Sequence, residues 1–260
     1  MENAVFTRSE LDGYFASYVG MEGGNPGASV WFCDGSPHPW FEHLTAPLKP
    51  RMAPPAWDAA FRTTYRESLG RWLGHQHIAR IMAAARAEVL GLPLGATDCQ
   101  QYYEQQLYGP WGAEFKLSLF PLPLHLDGLT PWSKVFRGQR ELVPKQRYLD
   151  LCRHGGRFRF LSDICTRWQP KLVVCLGHRH TEDFIRAFAL GDVVAEELLL
   201  QPADQAKHLR MFKRRGTGWI ICPALAGTSG MNSDALLNAF GRLLATYLNP
   251  SDFHIPKDRG

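Results

Sequence analysis

Apolar and polar positions along this chain alternate between two periods, and the switching predicts the elements. Val30 to Cys33 (VWFC), Lys171 to Gly177 (KLVVCLG) and Gly218 to Cys222 (GWIIC) are short, nearly unbroken apolar runs, as expected for strands covered on both faces of a sheet. In EFKLSLFPLPL, Phe115, Leu117 and Leu119 alternate with Lys116 and Ser118, which predicts a further strand running into a proline-locked loop. Helical spacing dominates elsewhere. From Trp57 to Leu90 apolar residues recur every three to four positions with an interruption near Gly74, which reads as two helices. Leu11 to Tyr18, Lys145 to Trp168 and Thr181 to Leu190 follow the same period, and Ser233 to Leu248 closes the chain as a helix capped by Ser233 or Asn232. The order predicts an α/β three-layer sandwich, with a central four-stranded, mainly parallel sheet and helices on both faces, built by residues 1–260 as one domain.

Two loops leave the carboxyl ends of predicted strands, where open α/β sheets bind ligands: CDGSPHPW after Cys33 and CPALAGTSGMNSDALL from Cys222. Composition sharpens this only slightly. A net charge of +4 permits a nucleic-acid partner without requiring one. Its placement says more, because KHLRMFKRRG (Lys207 to Gly216, including Arg214 and Arg215) and CRHGGRFRF (Cys152 to Phe160) are basic stretches suited either to tracking phosphates or to a solvated face. Six scattered cysteines without a CxxC pair suggest reduced, buried thiols and no metal or other cofactor. His178, Arg179 and His180, directly after KLVVCLG, read as a phosphate contact, a ligand pair or simply a helix entry. No apolar run reaches the roughly 20 residues a membrane helix needs, and the N-terminal stretch carries acids, so the expectation is a cytoplasmic monomer without a membrane partner.

The four strand ends VWFCDGSPH, LSLFPLPL, KLVVCLGHRH and ICPALAGTSGMNSDALL, in this order and spacing, resemble the uracil-DNA glycosylase superfamily from about residue 14 to 248. The resemblance implies a four-stranded parallel sheet, a first loop with a water-activating acid, a second strand end that reads a flipped base, and a last loop pushed into the DNA. Where that superfamily has a loop similar to GQDPY or GExPG, this chain has CDGSPHPW, so the resemblance implies Asp34 as the acid with Ser36 as its polar neighbour. An Asx turn between Asp34 and Gly35 is the alternative. Ser118 stands where an asparagine would grip the base edge, and Phe120 offers either a stacking face or a core ring. Trp31, Phe32 and Trp40 are open in the same way, while Gly35 and Ser36 leave room for a bulky base.

In the last loop Cys222 replaces a histidine, and a thiol is a poor partner for a departing base. Leu225 or Met231 would be the wedge, Gly227, Thr228 and Ser229 would hold phosphates, and Asn232 would bond base or sugar unless it caps the helix. The reading that follows is a monofunctional DNA glycosylase acting on duplex or single-stranded DNA. It would remove a modified or damaged base, such as a modified cytosine of phage DNA, in repair or in defence against phage. A silent nucleic-acid-binding member of the same fold, and an unrelated enzyme acting on a small nucleotide, are the alternatives.

Overall fold

A computed structural model describes residues 5–37, 44–95, 97–124, 130–202 and 205–253. Seven strands form one mixed sheet: β1 (Gly23–Gly24), β2 (Val30–Asp34), β3 (Glu114–Ser118), β4 (Leu172–Leu176), β5 (Glu196–Leu200), β6 (Lys207–Arg214) and β7 (Thr217–Cys222), in the order β1-β3-β2-β4-β7-β6-β5. The expected four-stranded parallel sheet is present as the middle, β3-β2-β4-β7, but it is not the whole sheet. β1 adds antiparallel to β3, and the β5-β6 hairpin adds antiparallel to β7. β6 escapes a search for apolar runs because Leu209, Met211 and Phe212 are buried while Lys213 between them and the turn is exposed, the mixed pattern of an outer antiparallel strand.

Helices cover both faces of the sheet. Trp31, Cys33, Phe115, Val173 and Ile221 point into one core beneath α1 (Arg8–Phe15), α7 (Lys145–His154), α8 (Gly156–Trp168) and α9 (Thr181–Ala187). Val30, Phe32, Val174, Ile220 and Cys222 point into the other, where α4 (Leu73–Leu90) and α10 (Asp234–Ala245) pack together. Short pieces α2 (Ala59–Thr64), α3 (Arg66–Leu69), α5 (Asp98–Gln101) and α6 (Trp132–Val135) complete the set of α-helices among the described residues.

Several boundaries differ from the sequence reading. The stretch from Trp57 to Leu90 forms three helices rather than two, and Gly74 lies inside the first turn of α4. The break falls at Trp72, a non-helical N-cap whose indole packs edge-on against Trp57 and His75. Lys145 to Trp168 is likewise split, because the Gly155 position abuts the Asp12 carboxylate, which accepts the Gly156 N–H at 2.7 Å. α10 begins after Ser233, whose hydroxyl accepts the Leu236 N–H, so the serine and not Asn232 caps it. No helix among the described residues is long and apolar enough to cross a membrane. All six cysteines are free thiols, five of them buried.

Candidate active site

The parallel strands end together at Asp34, Ser118, Leu176 and Cys222, and β2 lies where the chain order changes direction, with β3 on one side and β4 on the other. Parallel register puts Lys116 beside Phe32 and Ser118 beside Asp34, so these side chains share the α4 face of the sheet. That face carries a row of ionisable groups. Lys116 Nζ lies 2.6 Å from Asp34 Oδ2 and 2.9 Å from Glu22 Oε2, and His75 Nε2 lies 3.5 Å from Glu22 Oε1. The His75 Nδ1 is 3.2 Å from the Tyr108 hydroxyl. Side-chain exposure is 2% for Lys116, 4% for Glu22 and 37% for Asp34, so Asp34 is the member of the row that meets solvent.

The electrostatics follow from burial and pairing. Burial disfavours both charged forms, yet Lys116 and then His75 hold the Glu22 carboxyl far below the usual carboxylate range. For Lys116 the Asp34 and Glu22 carboxylates outweigh desolvation and raise its pKa above that of an ordinary lysine. Lys116 is therefore an ammonium that positions its neighbours, not a nucleophile. Glu114, lower on the same face of β3, is pushed up to about 7 by burial despite hydrogen bonds from Tyr102 Oη (2.6 Å) and the Tyr108 N–H (2.7 Å). It anchors Tyr108, which in turn meets His75.

Above the row lies a cavity of about 500 Å³, within the range of small-molecule sites. Glu22, Asp34, His75 and Lys116 contribute to its floor, Trp72, Ile78, Leu176 and Leu225 to apolar walls, and Ser36, Pro37, Arg71, Leu73 and Arg179 also line it. A carboxylate fixed by an ammonium and open to such a cavity can orient a water or stabilise a cationic centre.

The structure thus brings Asp34, Ser36, Arg179 and Leu225 to one cavity. The others fall elsewhere. Phe32 is fully buried in the α4–α10 core, and Trp31 in the opposite core. Phe120 is fully buried against Tyr148 and Phe158, with the Arg153 guanidinium 5.7 Å over its ring, so it is a core ring rather than a stacking face. Ser118 sits beside Asp34 but is fully buried, and its hydroxyl has no hydrogen-bond partner. Cys222 is buried too, its thiol 3.5 Å from the Cys175 carbonyl and its pKa driven up by burial. Room over Gly35 is absent, because a Cβ there would stand 2.2 Å from His180 Nε2. Trp40 lies outside the described residues.

The last loop closes on itself, and this corrects the wedge. The Met231 N–H donates to Ala224 O at 2.8 Å, Gly230 N–H to Gly227 O at 3.1 Å, and Asn232 Nδ2 to Gly227 O at 2.9 Å. His77 Nδ1 pairs with Leu225 O at 2.7 Å. These bonds turn Met231 (0% exposed) and Leu225 (5%) inward, so neither protrudes. Gly227, Thr228 and Ser229 are exposed, with Ser229 O accepting from Lys207 Nζ at 3.0 Å.

The basic runs are corrected as well. Arg214 pairs with Thr217 in the register of β6 and β7, so Arg214 and Arg215 lie at the opposite end of β7 from Cys222, about 17 Å away along the strand. Arg210, Lys213 and Arg214 form ion pairs with Glu197, Glu196 and Asp192. Arg153 grips Asp183 with two hydrogen bonds, and Arg157 is buried. His178 is exposed in a short 3-10 turn (His178–His180), and no group of three or more potential metal ligands occurs among the described residues.

Sequence reasoning missed Glu22, Lys116, His75 and Arg71. The signal was in EFKLS: in a sheet covered on both faces, a lysine alternating with core residues has no solvent to reach and must find counter-charges. Comparisons with protein-family models, curated proteins and solved structures gave no match to this chain.

Proposed function

We propose that this chain is a DNA glycosylase that hydrolyses the N-glycosidic bond of a modified or damaged base accommodated in the cavity. The observation that carries the reading is the Asp34 carboxylate, held 2.6 Å from the buried Lys116 at the carboxyl end of β2 and open to the cavity. Glycosidic cleavage passes through an oxocarbenium-like sugar, and a fixed carboxylate both stabilises that cation and aligns the attacking water. Lys116 orients Asp34, and Glu22 balances Lys116 inside the protein. The walls formed by Trp72, Ile78, Leu176 and Leu225 suit the apolar faces of a base. With Cys222 buried, no imidazole of the last loop assists the leaving group, which favours bases that depart readily, alkylated ones foremost.

The same contact supports a second reading, a binding protein without hydrolysis, since an ammonium so close to Asp34 competes with water and sugar for its charge. One assay separates them. Oligonucleotides carrying uracil, hydroxymethylcytosine or alkylated bases are incubated with purified protein and treated with alkali. The expected outcome is strand breaks on at least one substrate, lowered about 10²–10⁴-fold by Asp34→Asn. Intact strands across the panel would sink the hydrolase.

A further inference from the structure

Arg71 and Arg179 reach the cavity from different elements, the turn before α4 and the 3-10 turn after β4. Arg179 Nε donates to His180 Nε2 at 3.0 Å, and neither guanidinium has an ion-pair partner among the described residues. The two cavity carboxylates, Glu22 and Asp34, are already engaged by Lys116. The rim therefore offers two unclaimed cations to an anion that bridges the cavity mouth.

Beside Arg71 stands Leu73, the first residue of α4, which lines the same cavity and is 62% exposed. A single exposed leucine on a surface needs no explanation. One at a cavity rim beside two arginines without ion-pair partners among the described residues is different, because extracting a base from a stack leaves a gap that an apolar side chain must fill. The last loop has no such side chain to offer: Leu225 and Met231 are buried, and its exposed stretch is Ala226 to Ser229, small or polar throughout.

We infer that the Arg71–Leu73 turn and Arg179 form the surface that engages stacked DNA, with the two arginines on backbone phosphates and Leu73 filling the space vacated by the base. The inference rests on the base-removing reading for its choice of partner, but its readouts do not require cleavage. Asp34→Asn protein is titrated into a duplex carrying 2-aminopurine opposite thymine and into the same strand unpaired, and fluorescence reports unstacking while anisotropy of an end label reports binding.

The expected result is a fluorescence rise with the duplex, at least tenfold weaker for Leu73→Ala and restored by Leu73→Met, with affinity for the unpaired strand unchanged. Because Leu73 and the two arginines are exposed, these exchanges leave the melting temperature in place. Arg71→Ala with Arg179→Ala should weaken binding to both forms and reduce the salt slope on duplex by about 1.8, two contacts at about 0.9 each. An unchanged duplex signal in Leu73→Ala, an unchanged salt slope in the arginine pair, or no signal with the starting protein would overturn the inference. Cleavage failing on every base while the Leu73-dependent signal persists would sink the hydrolase and leave this surface standing. Cleavage that ignores Leu73 would do the reverse.

Discussion

Two fully buried cations sit on opposite sides of the same strand end, and their surroundings could hardly differ more. Arg157, from α8, spends its guanidinium on main-chain carbonyls: Leu119 O at 3.0 Å, Phe15 O at 3.2 Å, Ser17 O at 2.9 Å, Val19 O at 3.0 Å and Ser118 O at 2.5 Å. Lys116, from β3, faces two carboxylates that line a cavity, the more exposed of them Asp34. A cation surrounded by carbonyls ties chain segments together and has nothing left for a ligand. One that shares a carboxylate with solvent transmits its charge to whatever enters. Burial of a charge therefore marks importance in both cases, but only the identity of its partners separates a structural bolt from a site.

Breaking the bolt should have the largest effect. Arg157→Leu strands carbonyls from α1, the stretch after it and the end of β3 without a donor, and each unsatisfied buried group costs about 1–3 kcal/mol. A loss of at least about 4 kcal/mol is expected in urea denaturation, with little rescue by Arg157→Lys, whose single ammonium cannot span the same acceptors. A loss below about 1 kcal/mol would erase the contrast between the two cations.

Lys116→Met is the matching exchange on the other face, and about 3 kcal/mol is expected because Glu22 is left buried without its main counter-charge, with only His75 beside it. Adding Glu22→Gln should recover part of that loss, yet not the positioning of Asp34, so stability and base removal should separate in the double variant. The pH dependence has a definite sign. Glu22 has a folded pKa below its ordinary 4.5, so the stability it contributes is present above 4.5 and is lost as pH falls from there through the lower folded value. The native protein should therefore lose stability on acidification more steeply than Lys116→Met, in which the carboxylate has lost its main counter-charge; parallel acid limbs in urea titrations would contradict the pairing.

The contrast also explains what was legible in the sequence. VWFC, KLVVC and GWIIC are apolar on both faces and became the middle of the sheet, because continuous apolarity over so few residues has few other uses. Asp34 was legible as the carboxylate that directly follows such an apolar run and ends β2. Arg157 and Lys116 were not, since a charged letter in an alternating segment reads as a solvent-facing position until the second layer of helices is in place. Leu225 and Met231 failed for a related reason: loop apolarity was visible, whereas the hydrogen bonds that turn those side chains inward depend on backbone geometry. Composition likewise showed the basic letters of β6 without showing that Glu196, Glu197 and Asp192 neutralise three of them.

The smallest effect expected is at the far end of the sheet, where Arg215 tests whether charge alone makes an interface. Arg214 and Thr217 pair across the β6-β7 hairpin, so Arg215 and Gly216 are its two-residue turn, with φ of 50° and 85°. Turns of this kind favour asparagine followed by glycine, because the short polar side chain of asparagine tolerates the left-handed conformation by bonding to nearby backbone and glycine has no β-carbon to strain. Arg215→Asn should therefore stabilise the protein by about 0.5 kcal/mol in thermal denaturation. Single-strand affinity should stay where it was, since this arginine lies about 17 Å along β7 from the cavity end, whereas removing Arg71 and Arg179 lowers it. A fall in affinity with Arg215→Asn would mean that the nucleic acid follows the charge of the hairpin rather than the rim of the cavity, and would move the interface to the opposite end of the sheet.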